Sequence, residues 1–139
     1  MFEILEHTAD IGFRARGRSL AELFENAAQA LLEIANETVD VAPRQEYPLA
    51  ASGADRESLL VNWLSEVLYF VDSKQVAFHH CRIDEMTEMR ETTVAGAGLG
   101  EQHDPARHRA RLIVKGVTYH QLRIEQNAEG WCAEVYLDV

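Results

Sequence analysis

Leu122-Arg123-Ile124-Glu125-Gln126-Asn127-Ala128-Glu129-Gly130-Trp131-Cys132-Ala133-Glu134-Val135-Tyr136-Leu137 is the stretch whose reading decides the fold. Leu122 and Ile124 alternate with Arg123 and Glu125, and Trp131, Ala133, Val135 and Leu137 put one apolar face on a last strand. A period of two is the mark of a strand with one buried face. Between the two runs lies Asn127-Ala128-Glu129-Gly130, residue types that favour a tight turn. Strands joined so closely must be antiparallel, because parallel strands need a long crossover.

Two helices stand upstream. Ser19-x-x-Glu22 is a capping box, and Leu20, Leu23, Phe24, Ala27, Leu31 and Ile34 follow at helical spacing, giving a helix over roughly residues 20–35. Asp55 is an N-cap for a second helix running to about residue 72. Its stripe of Leu59, Leu60, Trp63, Leu64, Val67, Leu68 and Val71 must lie against a sheet or another helix. Further strands are predicted over 2–5, 11–16, about 39–51, 76–86 and 88–99, with a last alternation at Ala110, Leu112 and Val114. Pro43 and Pro48 mark 39–51 as an edge, and Gly96, Gly98 and Gly100 suggest a bulge or loop in 88–99. The predicted fold class is α+β: a single domain over 1–139, with a mostly antiparallel sheet covered on one face by two helices.

The 139 residues carry 23 acidic and 13 basic side chains, a formal net charge of −10. Such a surface repels phosphate backbones, so free nucleic acid is a poor direct ligand, and a cation or a basic protein partner fits better. Cys81 and Cys132 have neither disulfide-framework nor thiol-metal spacing, and both are expected to be reduced and buried. No apolar run approaches the roughly 20 residues of a membrane helix, and the first residues lack a signal-peptide pattern. The chain therefore reads as soluble and cytoplasmic, and is expected to be a monomer.

The chemistry lies at the two ends. Asp10 follows Glu6-His7-Thr8-Ala9, and Asp138 precedes Val139. If the termini meet, two side-chain carboxylates and the end of the chain converge, and such a cluster repels itself unless a cation sits within it. On the residues alone, the alternative that Asp10 caps a turn and Asp138 is solvated stays open. Lys115-Gly116-Val117-Thr118-Tyr119-His120 is either an ordinary strand or a row of functional side chains beside a Gly116 bulge. His79-His80-Cys81 looks like a ligand cluster, but alternation along a strand points neighbours to opposite faces, so a shared metal is not expected. His103-Asp104-Pro105-Ala106-Arg107-His108 reads as turn chemistry. Neither a nucleophile elbow nor a P-loop is present, and Gly96-Ala97-Gly98-Leu99-Gly100 lacks the strand-to-helix context of a phosphate loop.

His7-Thr8-Ala9-Asp10-Ile11-Gly12, the Lys115–His120 run and the ending Trp131…Leu137-Asp138-Val139 together resemble the archease family. The resemblance extends over the whole chain, through Asn62-Trp63-Leu64 and Gly100-Glu101…Asp104…His108. Gly116 departs from a frequent alanine, and Val139 from a larger aliphatic residue. The resemblance implies an accessory protein without catalytic activity of its own. Its partner would be an RtcB-type RNA ligase joining 3′-phosphate or cyclic-phosphate ends to 5′-hydroxyls in tRNA splicing and RNA repair. It would promote guanylylation and multiple turnover of that ligase. The family metal site maps onto Asp10, Asp138 and Val139, an all-oxygen set that suits Ca²⁺ first and Mg²⁺ second. His7, Lys115, Thr118, Tyr119 and His120 become candidates for supporting that site or touching the partner. A general chaperone or interaction module, and a free-standing metal-dependent phosphoesterase, are the rival functions.

Overall fold

The computed structural model describes residues 1–6 and 10–139. Its elements run β1 (Phe2–Glu6), β2 (Asp10–Gly17), α1 (Leu20–Ala35), β3 (Gln45–Gly53), α2 (Arg56–Asp72), β4 (Val76–Glu88), β5 (Thr92–Gln102), β6 (Gly116–Asn127) and β7 (Gly130–Asp138). The strands form a four-stranded sheet, ordered β1-β2-β7-β6, and a three-stranded sheet, ordered β3-β5-β4. All these neighbours are antiparallel. The α+β class stands, with the strands divided between two sheets and each helix touching both.

Local chemistry sets the helix starts. The Ser19 hydroxyl accepts from the Glu22 N–H at 3.1 Å, and the Glu22 carboxylate reaches back to the Arg18 N–H at 3.2 Å. Asp55 accepts from the Ser58 N–H at 2.7 Å, and this bond holds its carboxyl below the usual range. Leu23, Phe24, Ala27, Leu31, Leu59, Leu60, Trp63, Leu64 and Val67 are buried and meet Phe13, Ala15, Val135 and Leu137 from the larger sheet. Each fully buried large side chain contributes roughly 1.5–3 kcal/mol. Trp63 also satisfies its indole N–H on the Phe24 carbonyl at 3.1 Å, tying α2 to α1. Among the described residues no helix is long and apolar enough to cross a membrane.

Several expectations need correction. Residues 110–115 are not a strand. The segment is held by an isolated Asn36–Ala110 bridge, by Arg111 N–H on the Ala35 carbonyl (2.8 Å) and by Lys115 N–H on the Asp138 carbonyl (2.7 Å). Leu112 and Ile113 are both exposed there, because no sheet face exists to bury alternate residues. Strand β3 starts at Gln45 rather than near 39, and Pro48 does lie on an edge strand. The irregularities near Gly96 and Gly100 fall on the partner β4, between Phe78 and His80 and between Ile83 and Glu85. In β6 the irregularity lies between Thr118 and Arg123, where Gln121 has φ 54°, and not at Gly116. Cys81 is buried, its thiol pushed up to about 12 by burial, but Cys132 is only half-buried.

Candidate metal site at the end of the larger sheet

Register brings the two ends together. Strands β2 and β7 pair without a break from Gly17↔Trp131 to Asp10↔Asp138, so the two aspartates are direct cross-strand partners. Alternation from buried Phe13, Ala15, Val135 and Leu137 puts both carboxylates on the outer face of the sheet. Cβ atoms of directly opposed residues lie about 4.5–5.5 Å apart, and like charges in that position repel. Among the described residues neither aspartate has a cationic side-chain partner.

Strand β6 closes the other flank. Gly116 is the Cα partner of Asp138, and the Lys115 N–H bond anchors the Asp138 carbonyl. Among the described residues a Cβ on Gly116 would meet nothing within 4 Å, so none of them fills the space beside Asp138. The next row is closed. Gly12 faces Tyr136, and a Cβ there would come within 2.6 Å of the tyrosine ring. The ring therefore lies across Gly12. Tyr136 donates to Glu134 at 3.0 Å, and that carboxylate raises its phenol above the ordinary value. One row further in, Arg14 bonds Glu3 and Glu134, and Arg123 stands near Glu134. The outer face thus carries charge-paired residues in its middle and two opposed carboxylates at its end.

The other expected site residues fall as follows. Thr118 donates to the Tyr136 carbonyl at 3.2 Å and accepts from the His120 N–H at 3.2 Å. His120 stacks edge-on near Tyr136, with ring centroids 6.3 Å apart. Tyr119 and Lys115 are exposed on the same strand and its approach. Val139 is half-buried against the core, which pins the residue after Asp138 beside the site. His7 lies outside the described residues. The donor chemistry fits the implied metal: two opposed oxygen anions, Asp10 half-buried and Asp138 exposed, without cationic side-chain partners among the described residues, suit a hard cation better than zinc or copper.

The turn chemistry expected of His103–His108 is present, with the Arg107 and His108 N–H groups on the Asp104 carbonyl, and it belongs to a second polar centre whose Ala42 and Arg44 contacts the sequence did not show. Glu101 is buried at the end of β5. Its carboxylate accepts from Arg107 (2.8 Å), from the Ala42 N–H (2.8 Å) and from His108 Nε2 (3.0 Å), with Arg44 at 3.6 Å. The Arg107 bond, then the Ala42 and His108 bonds, pull its pKa down to about 2. His108 Nδ1 accepts from the Asp104 N–H at 2.9 Å, so the hydrogen-bond network assigns the ring proton to Nε2. Both ring nitrogens are occupied, which makes this centre a clamp on the 103–108 turn and not a proton-transfer dyad.

Comparison with known proteins agrees with this fold. Residues 2–139 match the model of the Archease protein family (MTH1598/TM1083). The chain belongs to the archease family. It is 40% identical over 139 residues to the "Protein archease" of Methanosarcina acetivorans, covering 99% of this chain and 95% of that one. It is 39% identical over 140 residues to the archease of Sulfurisphaera tokodaii, covering 99% and 98%. The solution structure of Methanobacterium thermoautotrophicum protein 1598 superposes with a TM-score of 0.84 at 34% identity, covering 99% of this chain and 98% of that one. The crystal structure of a Thermotoga maritima archease, described as a possible chaperone, superposes with a TM-score of 0.66 at 25% identity, covering 97% and 94%.

Proposed function

We propose that this archease activates an RtcB-type RNA ligase in tRNA splicing or RNA repair. It would present the Asp10–Asp138 end of its larger sheet to the ligase, promoting guanylylation and multiple turnover without catalysing a reaction itself. The observation that carries this reading is the Asp10↔Asp138 pairing at the sheet end, two opposed carboxylates without a cationic side-chain partner among the described residues. A bound hard cation, Ca²⁺ or Mg²⁺, would offset that repulsion and supply positive charge for orienting phosphate groups. Asp10 and Asp138, with Val139 next in the chain, are the residues that would hold it.

The chain's own residues have separate tasks. The Lys115 N–H and the buried Leu137 fix the backbone of Asp138 and so set its place on the sheet end. The Tyr136 ring over Gly12 fills the row beneath the pair. Lys115 and Tyr119 stand exposed nearby, where a ligase surface would meet them. The net charge of −10 favours a positively charged partner cleft and disfavours free RNA, consistent with action in the cytoplasm through a protein partner.

The test is multiple-turnover ligation by an RtcB-type ligase of 3′-phosphate and 5′-hydroxyl RNA, with and without this protein. Wild type should stimulate turnover, and Asp10→Ala and Asp138→Ala should each lose that stimulation while melting at or slightly above the wild-type temperature. Full stimulation by either variant would refute the assignment. The chaperone description of the Thermotoga maritima relative has one observation in its favour. Exposed Leu112 and Ile113 border a groove of about 310 Å³ with Leu68, Val71 and Val76. Suppression of light scattering by unrelated unfolded clients, unaffected by Asp138→Ala, would support that second reading.

A further inference from the structure

The β4 bulge undoes the alternation that separates His79 from His80. With the register shifted between Phe78 and His80, the two rings turn towards each other. Their Nδ1 atoms stand 2.8 Å apart, with ring centroids 5.0 Å apart and planes at 83°. Both residues are half-buried, on an edge strand of the three-stranded sheet. Helix α1 braces the place from behind. Gln29 donates to the His79 carbonyl at 3.3 Å, and Glu25 accepts from the Ile83 N–H at 2.8 Å.

We infer that His79 and His80 form a two-nitrogen chelate for a borderline divalent transition ion, Cu²⁺ or Ni²⁺, distinct from the carboxylate site at the sheet end. In the free protein one Nδ1–H donates to the other Nδ1; when the ion binds, that proton leaves through water and the same ring takes one up at Nε2, so both neutral rings offer an Nδ1 lone pair. With metal–nitrogen bonds of about 2.0–2.1 Å, two nitrogen ligands of one ion stand about 2.9–3.3 Å apart. The hydrogen-bonded separation of 2.8 Å lies close to that range, so a small turn of the rings brings both Nδ1 lone pairs onto one ion. The all-imidazole donor set and the affinity order of the divalent ions favour Cu²⁺ and Ni²⁺. Imidazole nitrogens also discriminate against the hard cations that favour oxygen.

The electrostatics are compatible with ligation. Burial, then His79 and Arg82, lower the proton affinity of His80, the direction that favours ligation over protonation. The nearby Glu25 carboxylate acts the other way and favours positive charge at the pair. Arg82 is itself engaged by Asp84 and Glu46. Among the described residues no group of three or more His, Cys, Asp and Glu side chains converges, so water completes the coordination shell. The ion would therefore be held by two protein ligands at an accessible edge.

The experiment is a calorimetric titration of the untagged full chain with Cu²⁺ and with Ni²⁺, paired with electron paramagnetic resonance of the Cu²⁺ form. The expected result is a site of one equivalent with two coupled nitrogens, unchanged by excess Ca²⁺. His79→Gln and His80→Gln should each weaken it at least tenfold, the double variant should lack it, and Asp138→Asn should keep it. Circular dichroism melts of the glutamine variants check that the fold survives. Absence of a wild-type site, wild-type affinity in the double variant, or loss of the site in Asp138→Asn would each overturn the inference.

Discussion

Two acidic centres in this molecule have opposite designs. Glu101 is sunk at the end of β5, and its oxygens are taken by Arg107, the Ala42 N–H and His108, with Arg44 close by. Asp10 and Asp138 face one another across β2 and β7 on an exposed sheet end, with no cationic side-chain partner among the described residues. A saturated carboxylate organises structure. Two opposed like charges without cationic partners among the described residues disfavour one another and suit a ligand or a partner. The proposed function therefore rests on that pair, although the buried centre looks more like a catalytic dyad.

The largest expected contrast comes from one substitution made at both centres. A Cβ on Gly100, the residue before Glu101, would press into the Ala77 carbonyl oxygen, so Gly100→Ala forces strands β4 and β5 apart. Thermal or urea melts should show a loss of about 3 kcal/mol or more, at the upper end of overpacking effects. At Gly116, beside Asp138, none of the described residues lies within 4 Å of such a Cβ and φ is not left-handed. Gly116→Ala should stabilise the protein by about 0.4–1 kcal/mol through the unfolded chain, with ligase stimulation intact. Similar losses at both positions would erase the distinction between a closed and an open centre.

Acid provides the next contrast. Glu101 titrates near 2 in the folded chain against an ordinary 4.5, so the unfolded chain takes up its proton first as the pH falls. Its contribution is complete above pH about 4.5 and disappears on the way down to about 2. Melting temperatures measured across that window should fall less steeply for Glu101→Gln, which starts lower, than for wild type. Parallel curves would mean that the Arg107 and Ala42 contacts do not hold the carboxylate in solution.

The smallest expected stability effect is at the sheet end. Asp10→Asn or Asp138→Asn removes one of two opposed like charges, a change of about 0.2–1 kcal/mol towards greater stability at low salt. Chemical denaturation in dilute buffer and again at high salt should show the gain shrinking as screening rises. A substantial loss of stability would show instead that the pair belongs to the fold.

Much of this was legible in the sequence, for physical reasons that differ by element. Both helices announce themselves because Ser19 and Asp55 cap long apolar stripes. The β6–β7 hairpin follows from period-two alternation around a short turn. Alternation misled at 110–115, where backbone bonds to Ala35 and Asp138 replace a ladder. It misled again at His79 and His80, because a bulge leaves no mark in residue type. At the candidate site, Asp10 and Asp138 were singled out by position and family resemblance, but their face and partners depend on register. The Glu101 centre joins Ala42, Arg44, Arg107 and His108 from separate segments, a convergence that only the folded chain displays.

The central claim is that Asp10 and Asp138 together hold a hard cation. Calorimetric Ca²⁺ titration of wild type, Asp10→Asn, Asp138→Asn and Glu101→Gln tests it most directly. The account predicts a site of one equivalent in wild type and in Glu101→Gln, weakened at least tenfold in each aspartate variant, because hard-cation affinity follows the charge of the oxygen ligands. Equal Ca²⁺ affinity in all four proteins, or loss of binding in Glu101→Gln alone, would contradict it.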